Sequence, residues 1–197
     1  MPQVSEGALI EGARKGLLVS FPTDTVPALA AKPENADLIY AAKQRSLDKP
    51  LILMAATASE LWNYVDGNES ELKIWQEVAA KYLPGALTMV LPTGASVAKT
   101  MNPTDPTTIG VRVPKLEIAR SILAQTGPLA TTSANLSGQS ALLTMTEIAA
   151  QFPQVLVLQD EESQDTTSAI GVPSTVVKWT GNNWRILRQG ALNFDLS

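Results

Sequence analysis

The sequence predicts an α/β sandwich with a mixed β-sheet at its centre. Segments with a helical apolar period alternate with short apolar runs of strand length along the chain. The last two such runs, Ser174 to Lys178 and Trp184 to Arg188, flank Gly181-Asn182-Asn183, a hairpin signal. A hairpin added to alternating helices and strands makes the sheet mixed rather than purely parallel. No repeat, low-complexity tract or Pro/Gly-rich linker divides the pattern, which predicts one domain over residues 1–197.

The elements follow in order. Ser5 to Lys15 carries Leu9, Ile10 and Ala13 on one helical face, with Gly16 just past its end. Leu17 to Phe21 reads as a buried strand stopped by Pro22. After a polar loop, Asn35 is placed to cap a helix running to Arg45, with Leu38, Ile39 and Ala42 inward. Leu51 to Ala55 is the next strand, and Thr57 and Glu60 have capping-box spacing ahead of Leu61 and Val65. Ser70 to Tyr82 reads as a helix ended by Pro84 and Gly85. Strands are expected at Leu87 to Leu91 and Ile109 to Val113, and a helix from Leu116 to Thr126 with Gly127-Pro128 as its stop. Leu129 to Thr132 is a strand, and Thr144 and Glu147 repeat the capping-box spacing before a short helix ending near Phe152. Val155 to Leu158 is a strand that leads into an acidic loop.

Composition removes much of the usual enzyme repertoire. The chain has no histidine and no cysteine. That excludes Ser-His-Asp and Cys-His nucleophiles, histidine or cysteine zinc sites, disulfides and a histidine pH switch. Chemistry must rest on carboxylates, hydroxyls, lysines, arginines and backbone groups. Apolar residues make up 45% of the 197, enough for a sizeable core. The net charge is −4, from 15 basic and 19 acidic side chains, so no global field attracts nucleic acid. Four of the acids, Asp160, Glu161, Glu162 and Asp165, crowd one loop and equal the whole net charge. A local basic site is therefore compatible with an acidic chain. No apolar run approaches the ~18 residues of a membrane span, and the N-terminal stretch lacks a signal-peptide core. The expected location is the cytoplasm.

Four loop clusters put polar residues at the ends of apolar strands, where open α/β sheets bind ligands. Pro22-Thr23-Asp24-Thr25 offers hydroxyls and a carboxylate to a small polar ligand, or serves as a turn whose side chains bond nearby backbone. Lys43-Gln44-Arg45 with Asp48-Lys49-Pro50 gathers three cations within seven residues. An arginine fork and a flexible lysine suit a polyphosphate, although cations at a helix C-terminus also complement its dipole. In Thr108-Ile109-Gly110-Val111-Arg112-Val113-Pro114 the arginine alternates with apolar residues, so it either faces solvent or is reserved for a ligand carboxylate. Thr131-Thr132-Ser133-Ala134-Asn135-Leu136-Ser137-Gly138 supplies hydroxyls and an amide suited to phosphate and ribose, or forms a Ser/Asn-rich turn. The chain has neither a Walker A loop nor a G-x-G-x-x-G. Trp62, Trp75, Trp179 and Trp184 are too scattered for a base-stacking platform and are expected in packing roles. Ser96 to Pro106 reads as a mobile surface loop, a candidate lid.

In this order the clusters resemble the YrdC/Sua5 (YciO/YwlC) family. The resemblance runs from about Gly16 to Gly190 through F-P-T-D-T-V at Phe21 to Val26, K-Q-R with D-K-P-L at Lys43 to Leu51, and P-G-A-L-T at Pro84 to Thr88. It continues through G-V-R-V-P at Gly110 to Pro114, T-S-A-N-L-S-G at Thr132 to Gly138, P-S-T-V-V at Pro173 to Val177, and L-R-Q-G at Leu187 to Gly190. The family's K-x-R and S-x-N signature stands as Lys43, Arg45, Ser133 and Asn135.

The resemblance implies a YrdC-like open, twisted, mixed sheet flanked by helices in three layers. It also implies a short-type L-threonylcarbamoyladenylate synthase, a nucleotidyltransferase using ATP, L-threonine and bicarbonate with Mg²⁺ and releasing diphosphate. The product serves modification of adenosine 37 of certain tRNAs, so tRNA contact and downstream transfer proteins are expected partners. By the resemblance, Lys43, Arg45, Thr108, Ser133, Asn135 and Arg188 hold ATP, with Lys43 and Arg45 also catalytic. Thr23, Arg112, Thr131 and Ser174 hold threonine, with Arg112 on its carboxylate. Mg²⁺ is carried by the ATP phosphates rather than by protein side chains. Such a transfer needs alignment and charge neutralisation more than a dedicated base, which suits a chain without histidine or cysteine. The chain departs from the family pattern at Pro27, where an aromatic residue is usual, at Ala28 and Ala30, where glycines are usual, and at Ser46, where proline is usual. Met54 stands at a position that is histidine in some members. The competing expectations are a paralogue that binds nucleotide or RNA without this synthesis, and an enzyme using a different amine.

Overall fold

The computed structural model describes residues 3–159 and 171–195. The acidic loop expected after the strand ending at Leu158 lies outside them, apart from Gln159. Among the described residues the chain forms ten strands and six α-helices. The strands are β1 (Gln3–Val4), β2 (Val19–Phe21), β3 (Ala28–Ala31), β4 (Ile52–Met54), β5 (Leu87–Pro92), β6 (Thr108–Arg112), β7 (Leu129–Ser133), β8 (Leu156–Leu158), β9 (Thr175–Trp179) and β10 (Trp184–Arg188). The helices are α1 (Glu6–Arg14), α2 (Ala36–Lys43), α3 (Ala58–Leu61), α4 (Glu69–Tyr82), α5 (Glu117–Thr126) and α6 (Met145–Gln151).

All ten strands join one open sheet in the order β1-β8-β2-β3-β7-β4-β6-β5-β9-β10. It is mixed: β1 with β8, β8 with β2, β4 with β6 and β5 with β9 run parallel, and the other five pairings are antiparallel. Helices pack on both faces, giving the expected three layers. Gly12 of α1 is what lets that helix lie close, since a Cβ there would fall 2.2 Å from Leu156 Cδ1 on β8. The core is continuous across the sheet, from Leu9 and Phe21 through Leu53, Met89 and Val111 to Trp75 and Val177, all fully buried. Trp179 packs edge-on against both Trp75 and Trp184, so these three tryptophans pack as expected.

Local signals placed most elements. The two expected capping boxes, Thr57 with Glu60 and Thr144 with Glu147, are formed, and a third, Asn68 with Glu71, starts α4. Three expectations need correction. The polar loop expected after Pro22 contains β3, whose Ala-Leu-Ala-Ala sequence is a weak strand former; pairing with β2 on one side and β7 on the other decides it. Asn35 stands before α2 but makes no side-chain cap bond, because it also ends a 3-10 turn spanning Pro33–Asn35. The segment from Ser96 to Pro106 is anchored rather than loose. Met101 and Asn102 are buried, Leu51 donates its N–H to Met101 O, and Thr100 Oγ1 donates to Pro33 O.

Candidate functional site

The site arises from one face of the central strands. On β6, Ile109, Val111 and Val113 point into the core, so the alternate residues Thr108, Gly110 and Arg112 share the opposite face. Ile52 and Met54 of β4, Thr88 and Val90 of β5, Thr131 and Ser133 of β7, and Val176 of β9 continue that face. Register aligns them: Ile52 pairs with Gly110 and Thr131, Met54 with Arg112, and Thr88 with Val176. Together with the loops at Thr25 to Ala28, Arg45 to Leu51 and Pro173 to Ser174, they enclose a cleft of about 390 Å³. Gly110 leaves its floor low; a Cβ there would sit 3.3 Å from Thr88 Cγ2.

Arg112 is the most constrained side chain of the cleft. It is only 3% exposed, because the strand face opposite the core is walled by loops rather than open to solvent. Its Nη2 donates to Asp24 Oδ1 at 2.9 Å, Nη1 to Thr25 Oγ1 at 2.8 Å and Nε to Gly85 O at 3.0 Å. A guanidinium has five N–H donors, so two remain for a ligand. Asp24 Oδ1 also accepts the backbone N–H of Lys115 at 2.8 Å. Burial pulls the Arg112 guanidinium below its usual range, and Asp24 opposes that shift.

At the other end of the cleft, Arg45 donates from Nε to Lys49 O and from Nη2 to Pro50 O, both at 3.1 Å. Gln44 between Lys43 and Arg45 adopts the left-handed conformation at φ 49°. That turn ends α2 and sends Lys43 inward while Arg45 reaches the cleft. Lys43 is 1% exposed. Its Nζ donates to Ser133 O, to Asn135 O at 2.5 Å and to Asn135 Oδ1 at 3.2 Å. Burial, then the neighbouring Arg45 and Lys49 charges, push its ammonium down to about 7. Asn135 Nδ2 in turn donates to Leu136 O at 2.9 Å and Gln139 O at 2.7 Å, and Ser133 Oγ donates to Asn135 Oδ1 at 2.5 Å.

Arg188 enters by way of a β-bulge. In β10, Arg185 pairs with Lys178 and Ile186 with Val177, but Arg188 rather than Leu187 pairs with Val176. The extra residue re-aims the strand, so Arg188 faces the cleft instead of the core side that Ile186 occupies. Its Nη2 donates to Ser174 O at 2.8 Å, and Ser174 Oγ shares a 2.9 Å hydrogen bond with Thr88 Oγ1.

Of the ten residues singled out by sequence, seven line the cleft: Arg45, Thr108, Arg112, Thr131, Ser133, Ser174 and Arg188. Lys43, Asn135 and Thr23 lie behind its wall. Thr23 is fully buried and donates to Val26 O at 2.7 Å, as a turn residue does. Sequence reasoning missed Asn102, which is buried on the cleft wall and donates to Thr108 O at 3.2 Å. It also missed the pairing of Asp24 with Arg112, for which 88 residues of separation leave no local signal. Pro27 and Ala28 line the cleft, and neither Ala28 nor Ala30 has a positive φ; both lie in the extended backbone of β3. The two alanines are thus accommodated without backbone strain.

A family model labelled Sua5/YciO/YrdC and described as telomere recombination matches residues 11–190. A threonylcarbamoyl-AMP synthase of Vibrio cholerae is 32% identical over 186 residues, covering 92% of this chain and 95% of that protein. The crystal structure of P. abyssi Sua5 complexed with L-threonine matches with a TM-score of 0.79 and 30% identity, over 97% of this chain and 56% of that one. E. coli YciO shares the fold at a TM-score of 0.77 and 24% identity, over 98% of this chain and 94% of that one.

Proposed function

The chain belongs to the Sua5/YciO/YrdC family, and we propose that it is an L-threonylcarbamoyladenylate synthase, forming threonylcarbamoyl-AMP and diphosphate from L-threonine, bicarbonate and ATP. The observation that carries this reading is electrostatic. In a chain of net charge −4, the cleft gathers Arg45, Lys49, Arg112 and Arg188, with Asp48 the one carboxylate among its lining residues and Asp24 paired with Arg112 behind them. Fixed cations in a walled cleft focus field on anionic ligands.

The two ends suit the two substrates. Arg45 and Lys49, with the hydroxyls of Thr108 and Ser133, face a triphosphate. Lys43 acts from behind, holding the Ser133–Asn135 backbone that forms the wall. The two remaining donors of Arg112 match a carboxylate fork. Thr131 and Ser174 add hydroxyls nearby, while Thr23 braces the turn that carries Thr25. Arg188, bonded to Ser174 O, adds its charge on the Ser174 side of the cleft. Threonine's amine and bicarbonate give a carbamate and water; a carbamate oxygen then attacks the α-phosphorus, the α–β phosphoanhydride bond breaks and diphosphate leaves. The side chains align the reactants and offset the charge that builds on the phosphates. Mg²⁺, a hard cation held by the ATP phosphates, needs only oxygen donors from the protein, and Asp48, Thr108 and Ser133 present them on the wall. In this reading the enzyme works in the cytoplasm, contacts tRNA or hands its product to transfer proteins there, and serves threonylcarbamoylation of adenosine 37.

The test is diphosphate release on incubation with ATP, bicarbonate, Mg²⁺ and a panel of amines. Threonine-dependent release, lost in Arg45→Ala, is the expected result. Release with another amine alone, or none at all, overturns the reading.

A further inference from the structure

The four cleft cations are not equivalent. Arg45 donates to the carbonyls of Lys49 and Pro50, and Arg188 donates to the carbonyl and hydroxyl of Ser174. Among the described residues, Arg112 alone of the four has a carboxylate within ion-pair distance, Asp24 at 2.9 Å. That pair is well shielded, with side-chain exposures of 3% for Arg112 and 15% for Asp24. The Lys115 N–H and the Thr23–Thr25 turn fix Asp24 from its own side.

We infer that Asp24 is a specificity and positioning residue, which reserves Arg112 for a singly charged carboxylate and keeps phosphate groups at the Arg45 end. The inference rests on the proposed use of an amino acid and a polyphosphate in one cleft. A bare guanidinium fork accepts phosphate as readily as carboxylate. A cleft with cations at both ends therefore risks seating a triphosphate, or the departing diphosphate, across the amino-acid position. Asp24 offsets most of the Arg112 charge, so a multiply charged anion gains little there and meets repulsion from the carboxylate. A zwitterionic amino acid, with one carboxylate to place, still finds two oriented donors. Asp24 also fixes the plane of the guanidinium, since the Nη2 bond and the Thr25 and Gly85 bonds together leave one orientation.

The experiment compares the wild type with Asp24→Asn, which keeps the acceptor and loses the charge, and with Asp24→Glu, which keeps the charge. Steady-state diphosphate release is measured with threonine and ATP varied separately and inorganic phosphate as inhibitor. In Asp24→Asn the KM for threonine, measured at saturating ATP, should rise about tenfold, because phosphate groups then compete for the uncompensated Arg112 guanidinium and one charge-assisted contact is worth about that factor, with the KM for ATP within about twofold. Inorganic phosphate should compete with ATP in the wild type and Asp24→Glu, and with threonine in Asp24→Asn. A second readout needs no turnover: the Arg112 Nε–H signal in ¹⁵N NMR should respond to phosphate in Asp24→Asn and not in the wild type. An unchanged threonine KM, an equal rise in both KM values, or an Arg112 signal that responds to phosphate alike in both proteins overturns the inference. A wild type without threonine-dependent release overturns the functional reading instead, and the NMR comparison then still decides the role of Asp24.

Discussion

Lys43 shows how one residue can be legible in type and hidden in role. Its place in K-x-R marked it for a phosphate, yet the fold turns it under the Ser133–Asn135 segment, where three oxygens take its ammonium. Burial holds its folded value at about 7, below the usual 10.5. The unfolded chain therefore binds more protons than the folded one between about pH 7 and 10.5, and stability rises with pH across that window. Below about pH 7 both states carry the proton and the slope vanishes. Relative to Lys43→Met, which cannot titrate, wild-type stability in urea should increase from pH 6.5 to pH 9. A flat difference would show that the ammonium stays charged in place. Arg112 was equally ambiguous in sequence, since alternation said only that it faces away from Ile109, Val111 and Val113. Whether that side meets water or a cleft depends on loops from Asp24, Gly85 and Ser174, which no local pattern encodes.

At the scale of elements, β6 joins core and site in five residues. Its apolar side is fully buried, and its other side forms the cleft floor at Thr108, Gly110 and Arg112. Gly110→Val would add methyls to that floor beside Thr88 Cγ2 and Ile52 Cγ1. Turnover should fall at least about tenfold, as a near-attack geometry is displaced by an ångström-scale obstruction. Chemical denaturation should register only the cost of ordinary overpacking, about 1–3 kcal/mol. Equal losses of turnover and folded fraction would place the glycine's role in folding. Helices were legible because capping chemistry is local: Thr144 Oγ1 accepts from Glu147 N at 3.2 Å, within one turn. The strand β3 was not, because alanine has little strand preference and the two partner strands supply the reason for it. The bulge in β10 was equally invisible, since it exists only relative to the register of β9.

For the whole molecule the balance of charge matters more than its sum. The chain is acidic, the cleft is cationic, and no helix among the described residues is long and apolar enough to cross a membrane. Raising ionic strength from about 0.05 to 0.5 M should weaken ATP binding, because added salt screens the cleft cations. Titration calorimetry checks this, and the effect should shrink in Arg45→Ala. Salt-insensitive binding would mean that shape rather than charge holds the nucleotide. Local patterns along the chain are enough for the class of fold, the helices, most strands, the exclusion of histidine and cysteine chemistry, and the residue types that converge on the cleft. These follow from short-range periodicity, capping and composition, each readable within a few residues. The folded chain alone shows that Arg112 is buried and paired with Asp24, that Arg188 turns inward at a bulge, and that Lys43 braces a wall instead of lining it. Each of those depends on strand register and on contacts between segments far apart in the chain, where the energy lies between elements and leaves no mark in either one alone.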